Sequence, residues 1–115
     1  MGELRVRKIQ EFIKQEVSNI LLRKLKDPRL GFVTVTDVRI TGDLREATIY
    51  VSLFGSDKQK QDTLQALKHA TGYIRTEVGR SLGIRYSPTI TFQQDTSLDY
   101  GMKIDKILHD IEKKD

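Results

Sequence analysis

"LKHATGYIR", Leu67 to Arg75, sets a glycine inside a run that otherwise reads as an amphipathic helix, and the reading of that glycine decides the fold. Glycine in a helix interior costs roughly 1 kcal/mol relative to alanine, so some backbone geometry or close approach has to compensate. Two readings stand side by side. Gly72 lets a long helix bend so that both halves lie on a twisted sheet, or its missing Cβ lets a phosphate or sugar approach the backbone. Lys68, Gly72 and Arg75 share one flank at i, i+4 and i+7, so the glycine is bracketed by cations.

Outward from this point the helical pattern is long. Leu64, Leu67, Thr71, Ile74, Val78 and Leu82 form its stripe. Ser56 followed by Gln59 is a capping-box signature at one end, and Gly83 stands where a left-handed C-cap is expected at the other. Beyond it "SPTITF" predicts a short strand centred on Ile90 and Phe92. Upstream, "FVTVTDVRI" and "REATIYVSLF" alternate as β-branched strands, joined through "TGDL", where Gly42 and Asp43 predict a tight two-residue hairpin turn. Ala47, Ile49, Val51 and Leu53 share one face of the second strand. In the first, Val33 and Val35 are followed by Val38 and Ile40, a phase slip that a β-bulge near Thr36 and Asp37 would repair.

Val6, Ile9, Ile13, Val17, Ile20 and Leu21 recur at spacings of three and four, predicting a first helix from about Leu4 to Leu25 that ends at "KDPRLG". A last helix over 96–115 is expected, capped by Thr96 or Ser97, with Ile104, Ile107, Leu108 and Ile111 on its apolar face. The economical packing is a single α+β domain in which one face of a three-stranded sheet lies under the helices. A chain of 115 residues with 37% hydrophobic content can bury such a core without staples.

The absence of cysteine excludes a disulfide framework, thiolate zinc sites and cysteine nucleophiles, and fits a reducing cytosol. "MGELRVRKIQ" has no apolar h-region and Val6 breaks the myristoylation pattern, so neither secretion nor a lipid anchor is expected, and no apolar run is long enough to span a bilayer. The net charge of +4 is unevenly spread. Residues 1–26 carry seven Lys/Arg against three Glu, and 68–92 carry four against Glu77, whereas the span from 93 onward nets minus two. Two basic segments point to a polyanion-binding face, against the plain reading of ordinary solvated surface.

Lys68, Arg75, Arg80 and Arg85 are the first candidates for phosphate contacts, with Gly72 the point of closest backbone approach. Arg7 and Lys14, one heptad apart on the first helix, can extend the patch. Tyr73 and Tyr86 lie in the basic segment, although packing accounts for most such aromatics. Catalysis has little support. His69 and His109 lack a neighbouring acid or nucleophile motif, Asp95 with Asp99 makes a weak metal site, and phosphate-loop patterns are absent. A rival reading is a protein-interaction module that docks through Ile104, Ile107 and Ile111 of the last helix.

The order αββααβ is that of a type II KH domain, where RNA usually meets a GxxG loop between the two middle helices. Here "HATG" stands instead. The chain resembles the ribosome-binding factor A family, whose KH-like domain has an Ala-x-Gly helix-kink-helix at this place, matched by Ala70, Thr71 and Gly72. The resemblance runs through "LKDPRLGFVTVTDVRITGDLREATIYVS", the kink, and "SPTITFQQDTSLDYGMKIDKIL". It implies a bacterial, cytoplasmic assembly factor, without catalysis or cofactor, that binds the free small (30S) ribosomal subunit and the 16S rRNA precursor late in maturation. It further implies a link to 16S rRNA processing near the 5′-terminal helix, growth in the cold and departure before subunits join. Assembly GTPases and ribosomal proteins are candidate further partners. A monomer is expected, since nothing reads as a dimerisation seam. The alternative is a generic KH-like RNA-binding or protein-interaction module not specific to the ribosome.

Overall fold

The computed structural model describes residues 2–25, 30, 33–83 and 87–96. Helix α1 spans Glu3–Asn19 and runs directly into a π-helical turn, Ile20–Lys24. Strands β1 (Val33–Ile40) and β2 (Glu46–Leu53) follow, then helix α2 (Asp57–Leu82) and strand β3 (Thr89–Gln94). The expected C-terminal helix with Ile104, Ile107, Leu108 and Ile111 lies outside the described residues, as do Arg85 and Tyr86.

β2 is the central strand, antiparallel to β1 and parallel to β3. A parallel neighbour needs a crossover, and α2 supplies it. The bulge expected from the phase slip is present: the register shifts between Val35 and Asp37, leaving Thr36 as the additional residue. This restores Val35, Val38 and Ile40 to the same buried face as Ala47, Ile49 and Val51. Ile13 and Val17 from α1, Ile20 from the π turn, and Leu67, Ile74 and Val78 from α2 close that face, each fully buried. Removing a side chain of this size from water contributes roughly 1.5–3 kcal/mol, so these facing positions dominate the attraction between the layers.

The bulge also has a polar function. Thr36 Oγ1 donates to Asp95 Oδ2 at 2.6 Å, while Asp95 N donates to Val51 O at 2.7 Å. Asp95, weighed from sequence as one half of a weak metal site, thus ties the end of β3 to both other strands. At the opposite margin Gln10 Oε1 accepts from Ile40 N at 3.0 Å, and Asp37 Oδ1 accepts from Val38 N at 2.9 Å, so side chains occupy donors of β1.

The hairpin connection differs from the two-residue turn expected at Gly42 and Asp43. Thr41 N donates to Glu46 O at 2.9 Å, which leaves a four-residue loop, 42–45. The reason is side-chain chemistry. Asp43 Oδ1 accepts from Thr41 Oγ1 at 2.6 Å and from Arg45 N at 3.1 Å, and Leu44 turns the chain with a φ of 61°. That left-handed conformation disfavours leucine by roughly 1–2 kcal/mol. Packing of Leu44 against the core and its N–H bond to Thr41 O offset the penalty.

Candidate nucleic-acid interface

α2 begins and ends as its sequence requires. Gln59 N donates to Ser56 Oγ, Ser56 N donates to Gln59 Oε1, and Gly83 closes the helix at φ 66°. Between them the two middle helices expected from the αββααβ order are halves of one continuous helix through Ala70, Thr71 and Gly72. The chain has no proline there to break the ladder, and hydroxyls span the motif. Thr71 Oγ1 donates to Leu67 O and Thr76 Oγ1 donates to Gly72 O, each at 3.0 Å. Hydroxyl bonds to the preceding turn are a local device for bending a helix without interrupting it.

The Ala-Thr-Gly motif divides by orientation. Ala70 and Thr71 are half-buried, Ala70 against the core, and only Gly72 is exposed. A Cβ built on Gly72 would meet nothing within 4 Å, so neither packing nor a positive φ demands glycine there. The glycine that packing does demand is Gly79, one heptad on, where a Cβ would lie 2.8 Å from Ser87 Cβ. Sequence reading passed over Gly79. The signal available was its place on the same flank as Gly72, just ahead of the return into β3.

Lys68 is exposed on that flank. Arg75 is exposed too, but it is already engaged: Nε and Nη2 donate to Ser87 O at 3.4 and 3.3 Å, and Ser87 Oγ donates back to Arg75 O at 2.6 Å. Arg80 lies elsewhere on α2. At 3.6 residues per turn it is about 120° round from Lys68, and its Nη1 sits 3.4 Å from Glu77 Oε1. Lys24, from the π turn, reaches Glu77 Oε2 at 3.4 Å. Neither Lys24 nor Glu77 was singled out from sequence, because their meeting joins residues 53 positions apart.

Arg7 and Lys14 do not join Lys68 and Arg75. Gln10 lies between them on α1 and bonds the outer margin of β1, so this flank faces the opposite edge of the sheet from β3. Arg7 pairs with Glu3 at 3.1 Å. Tyr73 is 44% exposed on α2 rather than packed, while Tyr50 lies on the sheet and is half-buried. His69 Nδ1 lies 3.1 Å from Gln65 O. Among the described residues no helix is long and apolar enough to cross a membrane, and no group of three or more His, Cys, Asp or Glu is placed to hold a metal ion.

Helices laid on one face of a mixed three-stranded sheet, with a basic helical flank around an exposed glycine where GxxG would stand, define a KH-like α+β domain. A sequence profile of ribosome-binding factor A matches residues 5–108, and the chain belongs to that family. Among solved structures it is similar to a Thermotoga maritima protein determined by NMR as a candidate ribosome-binding factor A. The identity is 30% and the TM-score 0.73, covering 84% of this chain and 92% of that one. The crystal structure of ribosome-binding factor A from Thermus thermophilus is 25% identical with a TM-score of 0.67, covering 77% and 94%. A homology-built structure of the Thermus thermophilus protein, fitted into a cryo-EM map of its complex with the 30S subunit, is 25% identical with a TM-score of 0.63, covering 76% and 91%.

Proposed function

We propose that this protein is a ribosome-binding factor of the bacterial cytoplasm that associates, as a monomer, with the free small ribosomal subunit. There it assists late maturation, including 16S rRNA processing near the 5′-terminal helix. The family match over residues 5–108 carries the reading, and a relative fitted to a 30S complex supports it. The chain's own surface agrees. Gly72 leaves open space that packing does not need, Lys68 stands one turn before it, and residues 68–82 of α2 hold a single carboxylate, Glu77.

Binding is by shape and phosphate contact, and contact with Lys68 and the Gly72 backbone holds a late conformation of the rRNA until folding, or an assembly GTPase, displaces the protein. Each neutralised phosphate releases counterions, so affinity falls steeply with salt. Co-sedimentation of the purified protein with free small subunits, large subunits and joined ribosomes across a salt series tests this. Selective, salt-sensitive migration with free small subunits is expected. Equal binding to all particles would leave only a generic KH-like RNA-binding module.

A further inference from the structure

Glu77 is the only carboxylate in residues 68–82, and its side chain is 12% exposed. Each of its oxygens holds a different cation: Oε2 takes Lys24 Nζ and Oε1 takes Arg80 Nη1, both at 3.4 Å. The two cations come from separate elements, the end of the π turn and the last turns of α2, and their side chains stay 40% and 71% exposed. One carboxylate between two cations leaves a net positive charge at the surface. Arg23, exposed beside Lys24, adds another.

The position of this cluster matters as much as its sign. Lys68 and Gly72 lie on the flank of α2 toward β3, where Gly79 meets Ser87. Glu77, about 180° round the helix from Lys68 at 3.6 residues per turn, lies on the flank toward α1 and meets the π turn. Between the flanks runs a solvent-facing crest of Gln65, His69 and Thr76, all exposed and all able to hydrogen-bond. α2 therefore carries positive charge along both sides of a polar crest, separated by roughly the 10–12 Å diameter of a helix.

We infer that Lys24 and Arg80, each held by one oxygen of Glu77, form a second phosphate-binding row, and that the two rows engage two separate backbone segments of folded rRNA astride the α2 crest. This rests on the small-subunit reading above. An extended single strand follows one row only, whereas folded RNA brings two backbone segments to one surface.

The test compares the wild type with Lys24→Gln/Glu77→Gln/Arg80→Gln, in which the cluster becomes neutral and no carboxylate is stranded. Lys58→Gln, on the exposed first turn of α2, is the control, since both variants lower the net charge by one. Binding to free small subunits and to single-stranded poly(U) is measured over a salt series, with melting curves for each protein. The triple variant is expected to flatten the log–log salt slope on subunits by about 1.4–1.8, two contacts at roughly 0.7–0.9 each. Its affinity for subunits should fall at least tenfold, while its affinity for poly(U) stays with the control. Equal behaviour of triple variant and control on subunits, or an equal loss on subunits and poly(U), would overturn the second row. A wild type that does not bind free small subunits at all would instead overturn the functional reading and the row with it.

Discussion

Arg75 and Ser87 hold each other from both sides: Ser87 Oγ donates to Arg75 O at 2.6 Å, and the Arg75 guanidinium donates back to Ser87 O. The pair pins the segment leading into β3 against α2, at the place where Gly79 leaves room for it. Ser87→Ala should cost about 1 kcal/mol, the net worth of one hydrogen bond. A drop of several degrees in melting temperature is the expected reading. Arg75→Ala should also lower the melting temperature, so any loss of subunit binding by that variant has to be read beside its stability.

Gly79→Ala and Gly72→Ala should move stability in opposite directions. At Gly79 the added methyl meets Ser87 Cβ at 2.8 Å, and crowding of this kind costs about 1–3 kcal/mol. At Gly72 the methyl enters open space inside a helix, which should stabilise by about 0.5–1 kcal/mol. Chemical denaturation checks both. Weaker subunit binding by the more stable Gly72→Ala protein would support close approach of RNA to that backbone, and unchanged binding would remove it.

Thr36→Val keeps the shape of the bulge and deletes its bond to Asp95. The acceptor is a carboxylate and the site is partly buried, so the loss should be about 1.5–3 kcal/mol. Hydrogen exchange should show the effect concentrated where β3 ends on β2, since that is where Asp95 N meets Val51 O.

The hairpin loop carries a pH signature. The Thr41 hydroxyl, then the Arg45 N–H, hold the Asp43 carboxyl below its ordinary range. The unfolded chain therefore takes up a proton at higher pH than the folded one. The stability this supplies is present above the unfolded value, near 3.9, and is lost as pH falls through the folded value. Asp43→Asn should lower the melting temperature at neutral pH and flatten its decline below about pH 4.

Lys68→Ala removes an exposed cation with no packing role, so folding should stay intact. Its salt slope on free small subunits should fall by about 0.7–0.9, one phosphate contact. An unchanged slope would take the β3-side flank out of the interface.

Local pattern made most of the fold legible. The capping box at Ser56 and Gln59, the left-handed Gly83, the stripe of Ile13, Val17 and Ile20, and the bulge at Thr36 each follow from side-chain periods or caps that act within a few residues. The four-residue hairpin loop escaped because Asp43 out-competes the glycine signal through bonds to Thr41 and Arg45. The candidate site was legible only as a list of cations. Sequence placed Lys68, Gly72 and Arg75 on one flank, since helical spacing alone sets that.

What only the tertiary structure decided is the company those residues keep. Whether Gly72 or Gly79 needs to be glycine depends on where Ser87 arrives after the chain has turned back into β3. That Lys24 and Arg80 converge on Glu77 while Arg7 and Lys14 face the opposite edge depends on how α1 and α2 lie across the sheet. Helix and strand periods are properties of neighbours along the chain, and a sequence states them directly. The distance between two charges on different elements is set by packing of the whole core, which no local stretch contains.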